Sequence, residues 1–194
     1  MKSRRSRALL AGLAVAGVVA TVGIVTATSA SADPIQNGAV AQIATQPING
    51  TRYCVIPTGE LRLCGSPAAP ATQYVFEAKS CWSTKLLCYQ IRSTVDGLGC
   101  LYYDSFTSGG TTINKIGYGS CTSTSLTYRW RIDELTSFGR VRFRPASNTS
   151  RCVVYNPSQL PTTAPTDVWA IVGSTSIEEC SSRPESYTWF RLLS

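Results

Sequence analysis

LTYRWRI, Leu126 to Ile132, decides how the chain is read. As an extended segment it places Tyr128, Trp130 and Ile132 on one face and Thr127, Arg129 and Arg131 on the other. The same Tyr-x-aromatic step occurs as Tyr74-x-Phe76 in TQYVFEA and Tyr187-x-Trp189 in ESYTWFRLL. Each is preceded by a cysteine: Cys64 in RLCGS, Cys121 in YGSCTS and Cys180 in EECSS. Further upstream, a second cysteine opens an apolar run in YCVIP (Cys54), GCLYY (Cys100) and RCVVY (Cys152). Three alternating segments, VAQIAT, CYQIRS and RVRFRP, come before those, centred on Ile43, Ile91 and Phe143 and so 48 and 52 residues apart. One four-part unit therefore runs three times, over roughly residues 39–89, 90–140 and 141–194.

Period-two alternation, β-branched residues and Gly, Pro and Ser-rich breaks predict an all-β chain of short strands. A unit of about four strands cannot bury its apolar face alone, so the copies must share a core. Three copies give about twelve strands, and a closed barrel capped by hairpins removes most sheet edges. The expected fold is a disulfide-stapled β-trefoil, with Phe76, Trp130 and Trp189 turned inward to meet near the threefold axis.

The first 32 residues read differently. Lys2, Arg4, Arg5 and Arg7 precede an apolar run from Ala8 to Val25, and Ala30-Ser31-Ala32 follows. That order is a cleaved secretory signal, which predicts an extracellular product without a membrane span and a single domain over residues 33–194. Four of the 18 Lys and Arg and none of the 11 Asp and Glu leave with it, so the net charge falls from +7 to +3. The remaining basic residues are scattered except for Arg140, Arg142 and Arg144, whose spacing of two reads as a solvated strand face, and nucleic acid is not expected as a partner. All eight cysteines remain, an even number in a secreted chain, which reads as four disulfides. No C-x-x-C and no histidine occur, so neither a metal nor any other cofactor is expected.

The threefold order of cysteines and aromatics resembles the ricin B-like (R-type) lectins, over almost all of residues 33–194. That family carries a Cys-Leu-Asp-like strand start, a second cysteine bridged to the first, and a Gln-x-Trp strand in each repeat. The resemblance implies Cys54 with Cys64, Cys100 with Cys121 and Cys152 with Cys180, leaving Cys81 and Cys88 to pin a hairpin between the first two repeats. It also exposes departures. Where sugar-binding members place an acid two residues after the first cysteine, this chain has Ile56, Tyr102 and Val154. Where they place Gln, it has Tyr74, Tyr128 and Tyr187.

A sugar site needs an aromatic face for the ring and polar groups for its hydroxyls. The second repeat offers Tyr103, Asp104, Asn114 and Tyr118 within one cysteine loop. The third offers Tyr155, Asn156, Asp167 and Trp169, the last in a long Pro and Thr-rich loop of a kind often functional. Ordinary turn chemistry and core packing are the competing reading of the same residues. Catalysis is not expected, because histidine is missing and adjacent acids such as Asp133-Glu134 point to opposite strand faces. The function expected is a non-catalytic lectin-like module binding carbohydrate or glycoconjugate. The alternative is a protein-binding trefoil, either a protease inhibitor or a lectin-like carrier subunit of a toxin.

Overall fold

The computed structural model describes residues 35–65, 72–81, 87–95, 99–135, 139–167 and 170–194. The segment expected to be a secretory signal and Trp169 lie outside the described residues. Among the described residues no helix is long and apolar enough to cross a membrane.

Twelve strands follow in order: β1 (Ala39–Thr45), β2 (Tyr53–Val55), β3 (Glu60–Leu63), β4 (Gln73–Ser80), β5 (Leu87–Ser93), β6 (Gly99–Ser108), β7 (Thr111–Ser120), β8 (Trp130–Leu135), β9 (Arg140–Pro145), β10 (Arg151–Tyr155), β11 (Gly173–Glu179) and β12 (Phe190–Leu193). Antiparallel pairing runs β1–β4, β4–β5, β5–β8, β8–β9, β9–β12 and back to β1, which closes a six-stranded barrel. The hairpins β2–β3, β6–β7 and β10–β11 cap it, joined to the rest by the pairings β1–β2, β5–β6 and β3–β11. The expected β-trefoil is the observed fold.

Register shows which residues correspond. Ala44 faces Cys54 as Arg92 faces Cys100, so Ile43 and Ile91 are equivalent, one residue earlier in each strand. The opposing barrel strands place Leu192 against Ile43, Phe76 against Ile91 and Ile132 against Phe143. Two residues further along each inner face, Phe190 opposes Thr45, Tyr74 opposes Ser93 and Trp130 opposes Pro145. The structural counterparts of Trp130 are therefore Tyr74 and Phe190, and not the expected Phe76 and Trp189. Hydrogen bonds agree: the Tyr74 hydroxyl donates to the Val55 carbonyl at 3.0 Å, and Trp130 Nε1 donates to the Leu101 carbonyl at 3.0 Å. Val55 and Leu101 each directly follow the first cysteine of their repeat. Phe76 is buried as well, edge-on to Tyr89, but it stands two residues along the strand from the position assigned to it.

The shift in the third repeat has a local cause. In LTYRWRI, Leu126–Tyr128 forms a 3-10 turn, Arg129 is extended, and the strand starts at Trp130. Tyr128 is thus on the turn rather than on the strand face read from the sequence. The corresponding turn Glu185–Tyr187 is followed by Thr188 in the helical region, φ −106° and ψ −10°, so one more residue passes before the strand. Because side chains alternate, a slip of one reverses their faces. Phe190 enters the core, edge-on to Phe143 and Tyr155, while Trp189 lies against the guanidinium groups of Arg142 and Arg140, at 4.8 and 6.0 Å from its ring centre.

Four disulfides staple the chain: Cys54–Cys64, Cys81–Cys88, Cys100–Cys121 and Cys152–Cys180. Cys81–Cys88 lies across the β4–β5 hairpin, where Lys79 faces Cys88. The other three each tie the outer ends of one cap hairpin. Cys152–Cys180 joins residues 28 apart, a loop for which chain entropy gives about 3 to 4 kcal/mol of stabilisation. Replacing both cysteines by alanine is expected to lower stability by that amount, measured as a shift in urea midpoint at constant slope.

Candidate functional site

The three cap hairpins are unequal, and that inequality singles out the second as the candidate. The first and third have strands of three and four, and five and seven residues; in the second, β6 and β7 are ten residues each. Gly109 and Gly110, at φ 57° and 80°, join β6 to β7 in the two-residue turn that requires positive φ at both central positions. The register is unbroken from Gly99 opposite Ser120 to Ser108 opposite Thr111. What the sequence reading took for a loop is a regular hairpin, so alternation sorts its side chains between two faces.

One face carries Leu101, Tyr103 and Ser105, opposite Tyr118, Ile116 and Asn114. Leu101 and Ile116 are in the core, and Tyr103 and Tyr118 pack against it. The Tyr103 hydroxyl donates to Asn114 Oδ1 at 2.7 Å. The other face carries Tyr102, Asp104 and Phe106, opposite Gly117, Lys115 and Ile113. There Tyr102 stacks on Tyr128, with ring centres 4.9 Å apart and planes 24° from parallel. The stack needs glycines beneath it. A Cβ at Gly117 would stand 2.4 Å from the Tyr102 ring, and one at Gly119 would stand 2.6 Å from the Tyr128 hydroxyl oxygen. Further out, the Lys115 ammonium sits 5.0 Å from the centre of the Phe106 ring. Burial first, and then the Asp104 carboxylate and Tyr128, push the Tyr102 phenol above its ordinary value, so it stays protonated and able to donate at neutral pH.

The candidate residues are thus divided. Tyr103, Asn114 and Tyr118 share the inward face, and Asp104 stands alone among them on the outward one. Tyr155 is core: it is 2 % exposed, meets Phe190 edge-on, and its hydroxyl accepts from the Gln46 backbone N–H at 3.1 Å. Asn156 caps the 3-10 turn Pro157–Gln159, its Oδ1 accepting from the Ser158 N–H and hydroxyl. Asp167 is exposed on its loop, and its carbonyl accepts from the Ala170 N–H. Tyr102, which the sequence also offers beside Tyr103 and Asp104 with core packing as the competing reading, is on the outward face, and its partners Tyr128, Phe106 and Lys115 were missed from the sequence. Their signal is Gly117-x-Gly119 in KIGYGS, since glycine inside a strand marks close approach by another group.

Other acids are held in ion pairs. Arg92 and Lys79 lie at 2.9 and 3.3 Å from Glu77, and Arg183 lies at 2.6 Å from Glu178. Both carboxyls are lowered: Glu77 by its hydrogen bonds and charges, which outweigh burial, and Glu178 chiefly by its hydrogen bond from Arg183. Among the described residues no group of three or more His, Cys, Asp and Glu side chains gathers to hold a metal.

The class of protein is set by the closed barrel and its three caps: the chain is a β-trefoil. Solved structures agree at the level of the fold. It superposes on the BEL β-trefoil with a TM-score of 0.55 at 10 % identity, covering 84 % of this chain and 97 % of that one. A mosquitocidal holotoxin matches at 0.57 and 14 %, covering 82 % of this chain, which spans only 17 % of the holotoxin. A Polyporus squamosus lectin, solved with the human-type influenza-binding epitope Neu5Aca2-6Galb1-4GlcNAc, matches at 0.50 and 13 %, over 80 % of this chain and 49 % of that one. No protein-family model matches the chain, and no curated protein matches it in sequence.

Proposed function

We propose that this protein is a secreted, non-catalytic, lectin-like module that binds carbohydrate through the outward face of the β6–β7 hairpin. One observation carries the reading. The outward face joins a stacked tyrosine pair to a carboxylate: Asp104 lies two residues along the same strand face from Tyr102, the position where ricin B-like lectins place their acid. The aromatic pair offers a surface for the apolar side of a sugar ring, and Asp104 offers acceptors for its hydroxyls. Four disulfides suit an extracellular module. The lack of histidine and the pairing of Glu77 and Glu178 with cations favour binding over hydrolysis.

The test is a glycan and polysaccharide screen followed by calorimetry. Asp104→Ala and Tyr102→Ala are each expected to weaken binding to a captured glycan by about 1 to 3 kcal/mol, at unchanged thermal melts. Changes at Thr58, in the short first cap, are expected to leave it alone. Retention of full affinity by both variants would sink the site. Gly117→Val is a third probe: its side chain must displace Tyr102, so affinity is expected to fall although no contact residue is altered.

A protein partner is the second reading, favoured by the hairpin tip. Phe106 and Ile113, opposite each other, are both 39 % exposed. Failure to bind any glycan, with capture of a protease or a toxin subunit that is lost in Phe106→Ser, would select the inhibitor or carrier role instead.

A further inference from the structure

A groove of about 920 Å³ lies beside the β8–β9 pair, apart from the hairpin face. That volume is in the range of ligand sites. Six serine and threonine residues line it, among them Thr124, Ser125, Thr127 and Ser147, with Leu126, Ala146 and the Cys81–Cys88 disulfide supplying apolar wall. Arg131 is the charged residue of the lining. The turn Leu126–Tyr128 thus serves both places: Leu126 and Thr127 line the groove, and Tyr128 stacks on Tyr102.

Arg131 is one of five arginines that β8, β9 and β12 turn to the outside of the barrel. Arg131 opposes Arg144, Asp133 opposes Arg142, and Arg191 opposes Arg140, so all five stand with Asp133 on the outward side of these three strands. Asp133 is shared by three of them. Its Oδ1 takes Arg131 at 3.4 Å, and its Oδ2 takes Arg142 at 3.1 Å and Arg144 at 2.5 Å. Each guanidinium has five N–H groups, and two carboxylate oxygens use few of them. The same contacts fix the arginines in place, as does the Trp189 ring under Arg142. Arg144 reaches the groove wall too, donating to the carbonyl of Thr149, a lining residue. Held guanidiniums match the oxyanions of carboxylate and sulfate, and the groove beside them, mostly apolar in wall with hydroxyls at its edge, matches the C–H faces and hydroxyls of a saccharide chain.

From this juxtaposition we infer that the groove is a second binding site, for an acidic oligosaccharide whose carboxylate or sulfate pairs with Arg131. Nucleic acid offers anions without a hydroxyl-rich chain, and it is the competing outcome.

Calorimetry on the purified protein tests this with a chondroitin sulfate hexasaccharide, a neutral chitin hexasaccharide and single-stranded DNA of matched charge. The sulfated hexasaccharide should bind at least about tenfold more tightly than either of the others, the loss of one charge-assisted hydrogen bond being of that size. Arg131→Gln, which removes the charge, and Ser147→Phe, which fills the groove at constant charge, should each weaken it about tenfold with unchanged melting. Asp104→Ala should leave this affinity intact, so the hairpin site and the groove succeed or fail separately. Equal binding of the neutral hexasaccharide or of DNA, parental affinity in both groove variants, or loss of binding in Asp104→Ala would overturn the inference.

Discussion

Trp130→Ala is expected to destabilise the fold by about 3 to 5 kcal/mol, the range for a large aromatic truncated in a packed core. Trp130 is 1 % exposed and opposes Pro145 inside the barrel. Its indole also donates to the Leu101 carbonyl at 3.0 Å, a bond buried at both ends. Trp130→Phe separates the two contributions. It keeps most of the packing and strands that carbonyl, so about 1 to 3 kcal/mol of the loss should persist. Urea unfolding at matched slopes measures both variants, and a loss below about 1 kcal/mol in Trp130→Ala would place this residue outside a close-packed core.

Phe190→Ala should cost a similar amount, about 3 to 5 kcal/mol, because Phe190 fills the same place in the third repeat. Its ring is fully buried and meets Phe143 at 5.9 Å and Tyr155 at 5.1 Å between centres, both edge-on. The neighbouring Trp189→Ala removes a larger side chain yet should cost less. Trp189, although only 5 % exposed, packs beneath arginines apart from the core cluster, where the long Arg140 and Arg142 stems can close over the gap. A greater loss at Trp189 than at Phe190 would restore the register read from ESYTWF and contradict the one observed.

That pair of variants also shows what the sequence discloses and what it hides. The recurrence of Cys-apolar and Cys-loop segments carried the number of strands and the closed barrel, because a pattern repeated three times survives degeneracy in any one copy. Strand centres were legible for the same reason: Ile43, Ile91 and Phe143 stand against Leu192, Phe76 and Ile132 in one consistent register. The strand closing each repeat was not legible. Tyr-x-aromatic fits all three copies as letters, but Thr188 turns helical where Arg129 stays extended, and that one-residue difference exchanges Trp189 for Phe190.

The candidate site was read with the same mixture. Of the residues named in the second repeat, Asp104 stands on the outward face. Tyr103, Asn114 and Tyr118 were grouped with it because a 21-residue cysteine spacing looked like a loop. Two ten-residue strands fill that spacing instead, and period two then separates Asp104 from the other three. Tyr155 followed the same alternation into the core. The stack of Tyr102 on Tyr128 joins residues 26 positions apart through a turn, and no local pattern announces such a contact.

The central claim is that saccharide binds the outward face of the second cap, and titration of isotope-labelled protein with a captured glycan, followed by backbone amide chemical shifts, tests it most directly. Shifts concentrated at Tyr102, Asp104, Lys115 and Tyr128 are the predicted result. Shifts confined to the first cap around Thr58 and Glu60, or to Asn156 and Asp167 in the third repeat, would contradict it.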